Sequence, residues 1–209
     1  MPLDQSGFAA RTNVSRETLS DYARWEALLM RWNARINLVA PSSLADFWQR
    51  HALDSWQVCA HIPEKAEHIV DFGSGAGFPG LSVAIACKER GAGQVTLIES
   101  AGKKASFLRT VIRELGLPAR VLSERIEDLP DLGADVITAR AFAPLPRLLN
   151  YARPHSHAQT KFVLLKGANA ESEIKKAREI WTFDVESVTS LTDEDGVVLN
   201  LSNVRAKED

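Results

Sequence analysis

The stretch Ile69-Val70-Asp71-Phe72-Gly73-Ser74-Gly75-Ala76-Gly77-Phe78-Pro79-Gly80 decides the fold. An apolar run ends in an acid, four glycines follow within eight residues, and apolar residues then resume at helical spacing. The pattern predicts a strand, a tight turn and a helix, with Pro79 in the helix's first turn. Glycine lets a backbone approach a ligand closely, and a helix N-terminus offers unpaired N–H groups. In an open α/β sheet this turn lies at the carboxyl end of the first strand, where a nucleotide-like ligand sits.

Strands and helices alternate downstream. Strands are predicted at 69–72, 94–99, 119–122, 135–139 and 161–166, and helices at 79–90, 103–115, from about Pro144, and at 170–181, with a short helix or turn near 126–129. Gly116 ends the second helix, with Pro118 just beyond. The tail reads as two strands, 184–190 and 197–204, joined through Asp193-Glu194-Asp195-Gly196, a hairpin signal. The result is a mostly parallel sheet with one antiparallel strand.

Upstream, residues 1–14 read as loose. Ser15 begins a helix with apolar positions Leu19, Tyr22, Trp25, Leu29, Trp32 and Ile36, and Ser43 with Asp46 caps a second helix that carries Leu44, Phe47 and Trp48 and runs on through Ser55, Trp56 and Val58. Four of the five tryptophans fall between residues 25 and 56. Their spacing is that of a helix seam against the main domain rather than of a stacking platform for bases.

The 209 residues, 45% hydrophobic, suffice for one domain with a small extension. A net charge of −2 requires any nucleic-acid affinity to come from a local basic face. Cys59 and Cys87 lie in apolar helical stretches and read as buried reduced thiols; with no CxxC pair, no metal is expected. A polar N-terminus and no long apolar span lead to the expectation of a cytoplasmic protein with no membrane contact.

Gly75-Ala76-Gly77-Phe78-Pro79-Gly80 spells the dinucleotide fingerprint, which would suit a nicotinamide oxidoreductase. Asp71, Gly73, Gly75 and Gly77 also spell D-x-G-x-G-x-G, which resembles motif I of the class I S-adenosylmethionine methyltransferases. A carboxylate at the strand tip suits a cationic cofactor and repels a diphosphate. Glu99, ending the second strand, can accept hydrogen bonds from ribose hydroxyls, which both cofactor types carry. A dehydrogenase usually needs a separate substrate domain, and little chain is left for one. Two further readings stay open: a methyltransferase for another RNA, a small molecule or a protein, and a non-enzymatic RNA-binding module.

Several segments then align in order: Trp32-Asn33 with Ile36-Asn37-Leu38; Arg50-His51 with Leu53-Asp54-Ser55; Gly77 to Gly80; Leu97 to Ser100 with Lys103-Lys104 and Phe107 to Arg109; Arg125-Ile126-Glu127; Arg140 to Ala143; and Leu165-Lys166-Gly167. Together they resemble the bacterial RsmG (GidB) family, from about residue 19 to 204. The resemblance implies a class I S-adenosylmethionine-dependent methyltransferase, a Rossmann-like α/β fold. Its seven-stranded, mostly parallel sheet ends in an antiparallel hairpin, with an N-terminal helical extension at 1–64 packed on a methyltransferase domain at 65–209. It implies methyl transfer to N7 of one specific guanine in 16S rRNA, with the 30S subunit or its precursor as partner and a monomeric state. It places Gly73 and Phe78 at the methionine end of the cofactor, Glu99 at its ribose, Ile126 and Glu127 beside its adenine, and Arg140 at the tip of the fourth strand. The family's Ser-Arg-Ala-Phe and Asn-Leu-Thr read Ala139-Arg140-Ala141-Phe142 and Asn37-Leu38-Val39 here, each without the hydroxyl.

Guanine N7 carries a free lone pair, so no proton need be removed before transfer. Accordingly no acid or base residue is assigned, and positioning is expected to dominate. Lys103, on the helix after Glu99, and Arg140 and Lys166, by their strand-tip positions, are the candidate RNA contacts along one rim. Arg109, Arg113 and Arg153 read as a solvated face. His51 reads as a structural histidine at the helical interface. Lys175, Lys176 and Arg178, alternating with Glu171, Glu173 and Glu179, read as a salt-laced exposed helix.

Overall fold

The computed structural model describes residues 3–207. Strands β1 (His68–Phe72), β2 (Gln94–Ile98), β3 (Ala119–Leu122), β4 (Ala134–Arg140), β5 (Ser156–Lys166), β6 (Trp181–Thr189) and β7 (Val197–Ala206) form one sheet in the order β3-β2-β1-β4-β5-β7-β6. The first five are parallel, whereas β7 is antiparallel to both β5 and β6. Helices α5 (Gly80–Arg90), α6 (Gly102–Leu115), α7 (Leu145–Ala152) and α8 (Ala170–Ile180) cross between strands. β1 pairs with β2 on one side and β4 on the other, so the chain reverses its winding at the carboxyl end of β1.

The pleat divides the core. Ile69, Val95, Leu97 and Val136 join the cluster beneath α5, α6 and the N-terminal helices. Val70, Phe72, Ile98 and Ile137 join the cluster with α7 and Trp181. Alternation along β1 therefore sends the side chain of Asp71 to the face that α5 covers.

The N-terminal segment departs from expectation. Residues 5–12 are helical rather than loose. The Asp4 side chain caps α1 (Gln5–Thr12) by accepting from Gly7 N at 2.7 Å, and Phe8 is buried against Tyr22, Trp48 and Trp56. A single apolar anchor shows no period, so this helix left no pattern to read. Ser15 caps α2 (Arg16–Ile36) as expected. Asn37 closes it with φ +48°, and Asn33 Oδ1 accepts from Val39 N at 2.9 Å.

The second predicted helix is three pieces: α3 (Pro41–Leu44), a wide π-helical turn at Trp48–Leu53, and α4 (Asp54–Cys59). Ser43 does not cap a helix start; its hydroxyl donates to the Ala40 carbonyl inside the first short turn, where Pro41 starts the helix. β5 and β6 also start earlier than read, at Ser156 and Trp181. Trp25, Trp48 and Trp56 fill the seam. Trp25 is fully buried and stacked on Phe78, while Trp48 packs among Phe8, Tyr22 and Phe47. Cys87 is buried, Cys59 half-buried, and both are free, with burial pushing each thiol up.

Candidate active site

The turn after β1 is held in a conformation that glycine permits. Gly73, Gly75 and Gly77 have φ of +66°, +57° and +99°. Ser74 N donates to the Ile98 carbonyl and Gly77 N to Ser74 O, which closes the turn on the tip of β2. A Cβ on Gly73 would lie 2.5 Å from the Phe142 ring, so the missing side chain is what allows that ring against the turn.

Glu99 binds the same turn from the next strand. Its Oε2 accepts from Gly75 N at 2.9 Å and its Oε1 from Ala101 N at 2.8 Å. The carboxylate is buried in the wall of a cleft of about 270 Å³, together with Gly73, Ile126, Glu127, Phe142 and Tyr151. Ile126 presents a buried apolar surface, while Glu127 is exposed at the rim. A second cleft, of about 470 Å³, runs alongside, lined by Asp54, Arg140, Lys166, Glu173, Ser190 and Val197 among others. Phe142, Ala143 and Pro144 border both clefts and form their shared wall. Ala141, before that wall, has φ +51°, a left-handed turn at the tip of β4.

Four of the residues expected at the site are bound to the protein framework, two of them, Arg140 and Lys166, within the lining of the second cleft. Asp71 is completely buried, its Oδ1 accepting from Thr138 Oγ1 at 2.7 Å across the β1–β4 pair. Its Oδ2 has no hydrogen-bond partner and points to where a Gly80 side chain would stand, 2.6 Å from such a Cβ. Burial pushes this carboxyl up to about 6, against the favourable influence of Ser74, Thr138 and Arg140. The Phe78 ring points away from the cleft into the helical seam, stacked between Trp25 (4.6 Å between centroids) and His51 (4.5 Å).

Arg140 lines the second cleft while tied down by the N-terminal helices. Its Nη1 donates to the Arg50 carbonyl at 3.1 Å and to Asp54 Oδ2 at 2.9 Å, and its guanidinium lies 4.9 Å from the Phe78 ring centroid. Lys166 is no free cation: its Nζ donates to the Ala143 carbonyl at 2.7 Å and to Glu173 Oε2 at 2.8 Å. Glu173 in turn accepts from Leu145 N, so it braces the shared wall rather than lying on an exposed face. Of the three expected RNA contacts only Lys103 is exposed, while Arg140 and Lys166 are half-buried.

His51 has the structural place expected of it. Nη2 of Arg140 is always a donor, so His51 Nδ1, 3.2 Å away, accepts and the proton sits on Nε2, which is buried without a partner. Burial, Arg140 and Arg50 bring its pKa down to about 4, so it is neutral at pH 7. Sequence reasoning missed Asp54 as the junction of the site. It receives Arg140 on one oxygen and the Thr192 hydroxyl on the other, tying α4 to the tip of β4 and to the β6–β7 loop. No spacing rule pairs residues so far apart along the chain.

The family model described as rRNA small subunit methyltransferase G (GidB) matches residues 16–199. A protein of that name from Hyphomonas neptunium is 45% identical over 206 residues, 99% of this chain and 98% of that one. Another from Paramagnetospirillum magneticum is 46% identical over 194 residues, 93% of each chain. Among solved structures, an O-methyltransferase from Bacillus cereus in complex with SAH superposes with a TM-score of 0.57 at 16% identity, covering 86% of this chain and 90% of that one, a likeness of fold alone. The agreement of family model and near-full-length relatives with the glycine turn, Glu99 and the late hairpin establishes that this chain belongs to the rRNA small subunit methyltransferase G family.

Proposed function

We propose that this protein transfers a methyl group from S-adenosylmethionine to N7 of one specific guanine in 16S rRNA, with the small subunit or its precursor as partner. The observation that carries the reading is the pair of clefts meeting at the Phe142–Ala143–Pro144 wall, at the carboxyl ends of β1 and β4. The first fits a nucleoside: a glycine turn, a carboxylate at the tip of β2 and an apolar Ile126 surface. Gly73, Gly75, Gly77, Glu99, Ile126 and Glu127 would hold the cofactor there. Asp71, Phe78 and Arg140 serve it by positioning, since each is bound to framework rather than pointing into that cleft. Residues 1–64 then act as a helical extension that braces the domain at 65–209 through Phe78, Arg140 and Asp54.

Gly73, Glu99 and Ile126 would hold S-adenosylmethionine in the first cleft, where it would supply an electrophilic sulfonium methyl and leave as S-adenosylhomocysteine; a guanine N7 has its lone pair free and needs no proton removed first. The second cleft suits that demand. Asp54, Arg140, Lys166 and Glu173 are engaged with one another or with backbone, and Asp193, exposed on the β6–β7 loop, accepts from Asp195 N. The residues present therefore orient a base and exclude water; none is poised to shuttle a proton. Among the described residues no helix is long and apolar enough to cross a membrane.

Small subunits reconstituted with rRNA containing 7-deazaguanosine test the reading, because that base keeps its pairing face and loses only the N7 lone pair. Labelled methyl should enter subunits made with guanosine and not those made with the deaza base. Equal incorporation would overturn the N7 assignment.

A further inference from the structure

Outside both clefts, the end of α2 carries a groove of about 280 Å³ lined by Arg31, Trp32, Arg35 and Ile36. Arg31 and Arg35 are exposed and, among the described residues, make no hydrogen bond or ion pair. Trp32 is half-buried, its ring meeting Phe107 of α6 edge to face at 5.8 Å. The two helices run antiparallel: Arg24, near the middle of α2, donates to the Glu114 carbonyl near the end of α6. The last turn of α2 therefore lies beside the first turn of α6, which carries Lys103 and Lys104 one turn before Phe107.

No acid occurs between Ala27 and Ala45 or between Ser100 and Arg113, so this charge is uncompensated by local sequence. The helix dipole accounts for one cation in the last turn of α2, not for four around an aromatic groove. The first turn of α6 follows directly from Glu99, whose Oε1 binds Ala101 N, and from Ser100, which lines the first cleft, so one end of the strip adjoins that cleft. Exposed guanidinium groups flanking an indole match the chemistry of a single-stranded nucleic acid, phosphates alternating with flat bases.

We infer that this strip docks the RNA substrate beyond the reacting base: Arg31 and Arg35 hold backbone phosphates, and Trp32 stacks an unpaired base. The inference rests on the RNA reading above, and it adds a contact surface on the N-terminal helices.

The test measures binding and methylation of 30S subunits, and of protein-free 16S rRNA, both from cells lacking the N7 mark. Wild type is compared with Arg31→Gln/Arg35→Gln, Trp32→Leu and Trp32→Phe, with S-adenosylhomocysteine affinity confirming that each variant is folded. The double arginine variant should raise KM for RNA about tenfold with kcat unchanged, and flatten the slope of log K against log[salt] by about 1.4 to 1.8. Trp32→Leu should weaken RNA binding roughly 5- to 150-fold, and Trp32→Phe should restore most of it. Unchanged KM and salt slope in a variant that binds S-adenosylhomocysteine normally would overturn the strip while leaving the methyltransferase reading intact. An effect on 30S subunits and none on protein-free RNA would assign the strip to a ribosomal protein and overturn the RNA contact. A wild-type protein that neither binds nor methylates either acceptor would overturn the functional reading, and the strip with it.

Discussion

Gly73→Ala probes the link between the glycine turn and the wall that separates the clefts. Two costs are expected, and the structure separates them. The first is the left-handed backbone at φ +66°, about 1–2 kcal/mol for a residue with a Cβ. The second is steric. The new methyl would lie 2.5 Å from Phe142 Cδ2, and ordinary contact begins near 3.4 Å, so the ring must retreat by about 0.9 Å. Phe142 is wedged against Phe72 (5.8 Å between centroids) and Tyr151 (5.7 Å), so its retreat shifts the shared wall, an overpacking cost of about 1–3 kcal/mol. Gly91 is the control: its φ is +69°, but nothing lies within 4 Å of the place its Cβ would take. At about 2–4 °C per kcal/mol for a chain of this size, Gly91→Ala should lower Tm by about 2–8 °C and leave S-adenosylhomocysteine affinity alone. Gly73→Ala should lower Tm further and weaken that affinity at least tenfold by calorimetry, which is about 1.4 kcal/mol. Equal Tm losses in the two variants, with wild-type affinity in both, would refute the role given to Phe142.

Three further outcomes follow from the same geometry. Asp71 has a folded pKa of about 6 against an ordinary 3.8, so the native state binds more protons between those values. Stability should fall as pH rises from about 4 to 6 by roughly 3 kcal/mol and then level off; Asp71→Asn should abolish this component in pH-dependent denaturation, and superimposable profiles would contradict it. Removing the Arg140 charge should raise the pKa of His51 from about 4, which NMR titration of Arg140→Ala can follow; an unmoved His51 would deny their coupling. Lys166→Met and Glu173→Gln should be strongly non-additive in denaturant unfolding, with about 0.5–3 kcal/mol of coupling, because both hold the Ala143–Leu145 segment. Additive losses would show that the two do not act as one brace.

Much of the fold was legible because local rules and tertiary structure agree in it. The turn at Gly73–Gly80, the helix stop at Gly116 and the Asp193–Gly196 hairpin each carry their own punctuation, and the parallel sense of the first five strands follows from βα alternation. The N-terminal 60 residues were less legible. Phe8 is held by rings from three other segments, and the π-helical turn at Trp48–Leu53 breaks the period on which a helix is read.

At the site, residue identities were read more reliably than directions. Glu99 lies in the cleft wall as its strand-tip position implied, but the pleat turns Asp71 under α5. Phe78 is drawn into the aromatic seam, where Trp25 and His51 give it two faces to stack on. Lys166 lies at a strand tip as expected, yet Glu173 and the Ala143 carbonyl claim its ammonium, an engagement set by how α8 packs rather than by anything local.

The most direct test of the account is transfer of labelled methyl from S-adenosylmethionine to 30S subunits lacking the mark, followed by chemical mapping of the labelled base, with wild type and Glu99→Ala side by side. The account predicts label at N7 of a single guanine in 16S rRNA, abolished in Glu99→Ala. No label despite tight S-adenosylhomocysteine binding, or undiminished label in Glu99→Ala, would contradict it.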